Sequence, residues 1–128
     1  MNRKQQGDIG VAKAIYFYTA LGYVVSIPNT DNSKYDLIID NGKTSRVQVK
    51  TTRFKTPQGI YQVALRTSGG NKSWSGIVGR IDSLSVDLVV IVSEDGLLYE
   101  FPAEYLHGRT SVNLGEGAKK YRVELDRW

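Results

Sequence analysis

Hydrophobic and polar residues follow one another in a pattern that predicts a long N-terminal helix and then a series of strands. Residues 4–21 are predicted to be helical, and Gly22 follows as a residue suited to end a helix. Asp8 is expected in the first turn, where the helix dipole favours an acid. The residues at helical spacing are Ile9, Ala12, Ile15, Tyr16 and Thr19. Residues 23–27 are β-branched and aromatic, which is typical of a strand.

A β-hairpin is the strongest local prediction in the middle of the chain. Turn-forming residues at 29–33 predict a loop before it. Two strands, residues 35–40 and 44–51, flank Asn41-Gly42, a pair of residues that favours tight turns between strands.

The second half of the chain predicts further strands and a sheet of mixed direction. Residues 60–66 form a strand, and residues 67–79, which are rich in glycine and serine, form a flexible loop. The continuous apolar run at 86–92 is typical of a strand buried on both faces. A strand at 97–101 precedes a short helical turn at 102–106 with Pro at its first position, and the remaining residues are predicted irregular. These elements predict a single α/β domain over residues 1–128, with a mixed central sheet, an N-terminal helix and a hairpin.

The register of the hairpin determines which side chains can act together. A three-residue loop places Asp40 opposite Thr44 and Asp36 opposite Gln48, whereas a two-residue loop would mismatch the faces. Asp36, Gln48 and Lys50 then share one face. The other face turns an aliphatic set toward the core: Leu37, Ile39, Val47 and Val49. An ordinary cross-strand ion pair between Asp36 and Lys50 is the alternative to a chemical site.

Charge is distributed unevenly along the chain. The net charge is +4, yet residues 43–80 carry eight basic side chains and no acidic one. Residues 81–128 carry five basic and nine acidic side chains. A stretch of 38 residues without an acid is a candidate surface for phosphate groups, although charge alone does not separate DNA, RNA and anionic membranes.

Composition also limits the chemistry that is possible. The chain has no cysteine and a single histidine, His107, which excludes disulfides, a cysteine nucleophile and Cys/His zinc sites. Any metal must be held by oxygen ligands, which favours Mg²⁺ or Mn²⁺. No apolar run is long enough to span a bilayer, and residues 1–6 lack the apolar region of a secretory signal, so we expect a cytoplasmic protein.

Short strings around the hairpin resemble a known family. They are Gly7-Asp8-Ile9-Gly10, Ile27-Pro28, Asp31-Asn32-Ser33, Tyr35-Asp36, Val47-Gln48-Val49-Lys50-Thr51-Thr52 and Arg66-Thr67-Ser68-Gly69-Gly70-Asn71-Lys72-Ser73. Together with the spacing of Asp36, Gln48 and Lys50, they are similar to the group I intron-associated (homing) endonucleases of the PD-(D/E)XK superfamily. The resemblance runs over residues 6–106 and is most specific over residues 27–73. It implies a restriction-endonuclease-like core.

The resemblance also implies roles for individual residues. Asp36, the Gln48 amide oxygen and the Val49 backbone carbonyl would hold Mg²⁺ or Mn²⁺, and Lys50 would orient the attacking water or stabilise the transition state. The family usually has Glu in the first helix at the position of Val11. Three explanations stay open: cleavage is reduced or lost, Asp8 supplies the acid as a possible metal ligand, or the sequence was deliberately inactivated.

DNA contacts are expected from the basic stretch and from the loop at 67–79. The candidates are Arg53, Lys55, Arg66, Asn71, Lys72, Trp74 and Arg80. A flexible linker between strands is the alternative for that loop.

The expected function is metal-dependent, double-strand DNA cleavage by a homing or phage-type endonuclease, acting as a homodimer or homotetramer near the nucleoid or on phage DNA. Two alternatives stay open: a nuclease-fold module that binds DNA without cutting it, and a Holliday-junction or repair nuclease.

Overall fold

A central sheet and one long helix dominate the computed structural model, which describes residues 1–30, 33–68 and 78–124. Its helices are α1 (Arg3–Ala20), α2 (Ala103–Leu106) and a 3-10 helix (Glu116–Tyr121). The strands that it describes are, in chain order, β1 (Val24–Ser26), β2 (Leu37–Asp40), β3 (Thr44–Thr52), β4 (Gln62–Ala64), β5 (Thr67–Ser68), β6 (Val78–Gly79), β7 (Leu88–Ser93), β8 (Leu98–Pro102), β9 (Ser111–Asn113) and β10 (Arg122–Val123).

The main sheet is mixed, as predicted. Its strand order is β1-β2-β3-β7-β8-β10, with β3 and β7 parallel and each other neighbouring pair antiparallel. Val89, Val90 and Ile91 of β7 are fully buried, because both faces of the sheet are covered there. The predicted α/β class, with its N-terminal helix and hairpin, is confirmed.

Each face of the sheet is covered by its own hydrophobic cluster. On one face α1 packs Phe17 and Tyr18 against Leu37, Val47 and Val90. On the other face Phe101, at the centre of a second cluster, packs with residues from α2, β4, β9 and the 3-10 helix. Polar side chains that act on a ligand must therefore lie where strands separate or end.

The start of α1 differs from the prediction. The Asn2 side chain accepts a hydrogen bond from the Gln5 backbone N–H at 2.8 Å, and the Gln5 side chain accepts one from the Asn2 N–H at 3.0 Å. This reciprocal capping starts the helix at residue 3, so Asp8 lies beyond the first turn. The predicted end is confirmed, since Gly22 has φ 87° and follows the last helical residues.

Two predictions about the C-terminal part were wrong. The residues after 106, predicted irregular, contain β9, the 3-10 helix and β10. Val112, Leu114 and Ala118 anchor these short elements in the core, at a spacing too brief to give a periodic pattern. Pro102 is the N-cap of α2 and not its first helical residue, because it still belongs to β8.

The two ends of the loop predicted at 67–79 are strands. Its ends pair as the antiparallel strands β5 and β6, with Thr67 opposite Gly79 and Ser68 opposite Val78. Residues 69–77 of this prediction lie outside the described residues, as do residues 31–32 of the predicted loop at 29–33.

The close approach of α1 to β3 depends on Gly10. The helix buries Gly10, Ala14, Phe17 and Tyr18. The predicted stripe containing Ile9 and Tyr16 is instead largely exposed, at 41% and 51%. A Cβ atom on residue 10 would overlap the Thr51 methyl group. The Thr51 hydroxyl accepts a hydrogen bond from Gln6 at 2.9 Å, which holds that side chain in place.

We expect Gly10→Ala to destabilise the protein by about 1–3 kcal/mol through overpacking against Thr51. Gly7→Ala is the matched control, since nothing lies within 4 Å of a Cβ there. Because alanine favours the helix, the control should gain about 0.5–1 kcal/mol. Urea unfolding measures both; an equal gain in stability for the two variants would contradict the close approach.

Candidate active site

The hairpin β2–β3 has the predicted register at its turn. Asp40 pairs with Thr44 and Leu37 pairs with Val47, as the three-residue loop requires. The Asp40 side chain accepts a hydrogen bond from the Gly42 N–H at 2.8 Å, so this carboxylate closes the turn. The four aliphatic residues assigned to the core face all pack in or against the cluster under α1: Leu37, Ile39, Val47 and Val49.

The register changes where the site begins. The ladder ends at Leu37, and the Asp36 N–H donates to the Val47 carbonyl at 2.8 Å, so the predicted pairing of Asp36 with Gln48 is not formed. The Asp36 side chain instead accepts a hydrogen bond from the Val49 N–H at 2.7 Å. Asp36 thus satisfies a backbone donor that β2 no longer reaches.

The backbone N–H and carbonyl of Val49 point to the side of β3 where the pairing with β2 has ended. The carbonyls of Arg46 and Thr52 accept hydrogen bonds from the N–H groups of Asp87 and Glu94, at the two ends of the β3–β7 pairing. Even-numbered residues of β3 therefore direct their backbone toward β7, and odd-numbered residues direct it toward β2. Among the described residues, no backbone donor outside the strand ladders reaches the Val49 carbonyl. The carbonyl oxygen is thus available beside Asp36.

Asp36 and Lys50 are both half-buried charges. Burial raises the pKa of Asp36, while the hydrogen bond from the Val49 N–H and the charge of Lys50 act in the opposite direction. Burial lowers the pKa of Lys50, and the charge of Asp36 opposes that change. Partial burial of two charged groups costs solvation free energy. Neighbouring groups whose pKa values are shifted in this way are more frequent at functional sites than elsewhere.

These two residues do not form the ordinary cross-strand ion pair that was the alternative. The Lys50 ammonium donates to the Arg66 backbone carbonyl at 3.2 Å, and its N atom lies beyond ion-pair distance of Asp36. An ammonium has three N–H donors, so further donors remain for a ligand. The bond to Arg66 also holds the start of β5 beside the site.

Gln48 lies between these residues in β3. It is half-buried and pairs in register with Val89 of β7. Alternation along the strand puts its side chain on the same face as that of Lys50, as predicted.

The residues present fit a hard divalent cation with few charged ligands. Asp36 offers its second carboxylate oxygen, Val49 offers its carbonyl, and Gln48 offers an amide oxygen, all of which are ligand types that Mg²⁺ and Mn²⁺ accept. Within the described residues, no group of three or more Asp, Glu, His or Cys side chains is placed to hold a metal.

The two helix residues considered as sources of a second acid lie in different surroundings. Val11 is partly buried and packs against the hydrophobic cluster under α1. Asp8 is exposed and forms an ion pair with Lys4, one helical turn away, at 3.1 Å. In this arrangement Asp8 is engaged at the surface and forms no hydrogen bond or ion pair with any described residue near Asp36.

The basic residues of the 43–80 stretch have different surroundings. Arg53, Lys55, Arg66 and Arg80 are exposed. Arg53 donates to the Met1 carbonyl at 3.2 Å, and the Lys55 ammonium lies 4.8 Å from the centre of the Tyr61 ring. The predicted contacts Asn71, Lys72 and Trp74 lie outside the described residues.

Arg46 has a structural role. Its guanidinium and backbone N–H donate to both Asp87 carboxylate oxygens at 2.8–3.1 Å, and it also donates to the Leu84 carbonyl. Asp87 raises the pKa of Arg46, and Arg46 lowers the pKa of Asp87. The pair joins the start of β7 to β3 and removes one cation from the surface available to phosphate.

Sequence reasoning missed the Val49 N–H as the partner of Asp36. Strand alternation contains the necessary signal, because an odd-numbered residue beyond the β2 ladder must have a free donor on that side. The signal is usable only when the end of the ladder is known.

Comparisons with known proteins show which proteins the chain resembles in sequence and in fold. The chain is 32% identical over 112 residues to Protein 5.3 of Escherichia phage T7, covering 84% of this chain and 86% of that protein. The bacterial homing endonuclease I-Ssp6803I has a similar structure, with a TM-score of 0.81 and 26% identity over 95% of this chain and 89% of its own.

A more distant structural likeness is to the Holliday junction resolvase Hjc of Archaeoglobus fulgidus. It has a TM-score of 0.56 and 12% identity over 94% of this chain and 92% of its own, which shows the fold alone. The predicted restriction-endonuclease-like core is confirmed by these likenesses. The model of the PD-(D/E)XK endonuclease family matches residues 1–125, so the chain belongs to the PD-(D/E)XK endonuclease family.

Proposed function

We propose that this protein is a metal-dependent endonuclease of the homing or phage type, which hydrolyses phosphodiester bonds in double-stranded DNA. The observation that carries the proposal is the meeting of Asp36, the open Val49 carbonyl and Lys50 at the point where β2 and β3 separate. The family and the similarity to a homing endonuclease support it.

Each residue has a role that follows from its surroundings. Asp36, Gln48 and the Val49 carbonyl would hold Mg²⁺ or Mn²⁺, which when bound supplies charge neutralisation on the phosphate and a more acidic water. The Arg66 carbonyl fixes one donor of the Lys50 ammonium, and in this proposal the ammonium lies beside the scissile phosphate. Its remaining donors orient the attacking water or stabilise the developing negative charge.

DNA binding rests on the exposed cations around this site. Arg53 and Lys55 are exposed and lie within five residues of Lys50 in the sequence, just beyond β3, so we propose that they contact the DNA backbone near the cut. Asn71, Lys72 and Trp74 stay candidates for contacts to the bases, from sequence alone.

A homodimer or homotetramer is part of the proposal. One such site cuts one strand, and cutting a duplex requires a second site placed by symmetry on the other strand. The proposed place of action is the cytoplasm, on cellular or phage DNA, which the similarity to a phage protein supports.

A second candidate function is DNA binding without cleavage. The observation that favours it is Val11, an apolar residue of α1 that packs against the hydrophobic cluster under the helix, at a position where the family resemblance implies a glutamate. A site with one carboxylate holds metal more weakly than a site with two. A Holliday-junction activity has only the shared fold in its favour.

Cleavage of plasmid or phage DNA tests the proposal. Mg²⁺ or Mn²⁺ at about 10 mM, on the order of a saturating dose for carboxylate sites, should produce nicked and linear products that EDTA prevents. Four-way junctions and linear duplexes of the same sequence, assayed in parallel, separate an endonuclease from a junction resolvase. DNA binding with no cleavage in either metal would favour the second candidate.

Metal binding itself gives an independent prediction. We expect Mn²⁺ to raise the melting temperature of the wild type, because a ligand that binds the folded state stabilises it. Asp36→Asn should lose this effect, whereas Asp40→Asn, which changes the carboxylate at the hairpin turn, should keep it. Lowering the pH through the raised pKa of Asp36 should weaken the Mn²⁺ effect, because the proton then competes with the metal. An equal shift in wild type and Asp36→Asn would place the metal elsewhere.

A further inference from the structure

Three segments that are distant in sequence meet next to Lys50. The Leu65 N–H donates to the Thr110 carbonyl at 2.9 Å, and the Gly108 N–H donates to the Ile81 carbonyl at 3.4 Å. The strands β5 and β6 pair Thr67 with Gly79, and residues 66 and 80 directly flank this pair. These backbone contacts bring together the segments that carry Arg66, Arg80 and Arg109, and we call these three residues the arginine corner.

All three members of the arginine corner are exposed. Arg80 is fixed to the third segment, since its guanidinium donates to the Gly108 carbonyl at 3.2 Å. The backbone carbonyl of Arg66 accepts the hydrogen bond from Lys50, so the corner directly adjoins the candidate active site.

Arg109 is the most constrained of the three. Its guanidinium carbon lies 4.3 Å from the centre of the Tyr105 ring, and its Nε donates to the Tyr105 carbonyl at 3.0 Å. The Tyr105 ring is itself packed against Phe101 and Tyr121, with ring centres 5.9 and 5.1 Å apart. The stacked guanidinium therefore presents its two terminal nitrogens in a fixed plane, the geometry that suits a phosphate.

No acid neutralises this corner among the described residues. None of its three arginines forms an ion pair there. Asp82, two residues from Arg80, is engaged by the Leu84 N–H at 2.9 Å and the Ser85 hydroxyl at 3.0 Å. Three exposed arginines without an ion pair among the described residues, on segments joined by backbone contacts, are suited to an anion with more than one charged group.

We propose that the arginine corner binds consecutive backbone phosphates of DNA next to the scissile phosphate, and that Arg109 is a DNA-positioning residue for the reaction. This inference rests on the proposed function, and it adds a residue outside the basic stretch at 43–80. Because the contacts are to phosphate, they position the duplex without reading its sequence.

The test is the salt dependence of binding to a double-stranded oligonucleotide by wild type, Arg109→Gln and Arg109→Lys, measured without metal. A protein that neutralises one phosphate fewer has a shallower plot of log affinity against log salt, by about 0.9. We expect that decrease for Arg109→Gln on any duplex sequence, and we expect Arg109→Lys to restore the slope because the charge returns. Arg122→Gln is the matched control, since Arg122 lies on β10 near Glu124, at 3.9 Å.

The outcomes separate the two proposals. A wild type whose affinity does not depend on salt overturns the proposed function and this inference together. A salt-dependent wild type with an unchanged slope for Arg109→Gln overturns the arginine corner alone. If loss of stacking on Tyr105 unfolds Arg109→Gln, as circular dichroism would reveal, Arg80→Gln replaces it, and the same decrease of about 0.9 is required.

Discussion

Lys50→Ala is expected to reduce DNA cleavage by about 100-fold or more, the usual cost of removing a group that stabilises developing charge. DNA binding should change little, because Lys50 is half-buried and is one cation among several in this region. Burial raises the pKa of Asp36 and lowers the pKa of Lys50, and the charge of each residue opposes the shift of the other. Loss of Lys50 should therefore change the rate of reaction at the phosphate more than the affinity for the duplex.

The measurement compares cleavage rates under single-turnover conditions with binding in EDTA. Lys119→Ala is the matched control, because Lys119 pairs with Glu116 at 2.8 Å in the 3-10 helix. Both substitutions should be made in the wild type and in Val11→Glu, so that a slow parent enzyme does not hide the loss. Cleavage by Lys50→Ala at the parent rate in both backgrounds would remove Lys50 from the mechanism.

Lys50→Arg tests whether cleavage requires an ammonium at this position or only a positive charge. Arginine keeps the positive charge but replaces the compact ammonium that donates to the Arg66 carbonyl with a larger, planar guanidinium. We therefore expect little recovery of cleavage, which distinguishes a positioned donor from a requirement for charge alone.

The hairpin was the part of the site that the sequence predicted best. Alternation of Leu37, Ile39, Val47 and Val49 against polar neighbours determines the face of each strand, and a turn with Gly42 at φ 106° determines the register. Both signals are local, so a single sequence contains them. The same alternation puts Gln48 and Lys50 on one face of β3, which is continuous over Thr44–Thr52.

The parts that escaped prediction depend on contacts between distant segments. The gap at Asp36 exists because β2 ends while β3 continues along β7, and the end of a ladder is a property of three strands together. The arginine corner requires residues 66, 80 and 109 to meet, and the C-terminal segment that carries Arg109 has too little periodicity to be recognised as structured. The buried stripe of α1 was missed for a similar reason, since Thr51 of β3 selects Gly10 as the contact point.

Val11→Glu is expected to raise the cleavage rate by about tenfold or more, which corresponds to about 1.4 kcal/mol of added transition-state stabilisation. The structure has one carboxylate, Asp36, among the three groups that fit a cation, and Gln48 contributes no charge. A glutamate on α1, at the position where the family resemblance implies one, supplies a second negative ligand. Metal affinity and charge neutralisation at the phosphate should increase together.

The substitution has a cost that provides a second readout. Val11 packs against the hydrophobic cluster under α1, so an ionised glutamate there loses solvation when no metal is bound. Val11→Glu should therefore melt at a lower temperature than the wild type in EDTA and recover more of that loss in Mn²⁺. Val11→Gln, which has the same shape without the charge, should show the loss without the recovery.

Cleavage assays on wild type, Val11→Glu and Val11→Gln side by side then show whether Val11 limits the cleavage activity of this chain. Cleavage by Val11→Glu alone identifies the wild type as a nuclease fold that binds DNA and has lost its catalytic acid. Equal cleavage by all three contradicts the prediction, and Asp8, now paired with Lys4, becomes the residue to substitute next. If Val11→Glu binds Mn²⁺ and DNA yet cuts neither duplexes nor junctions, a missing carboxylate is not the cause, and the proposal of endonuclease activity fails.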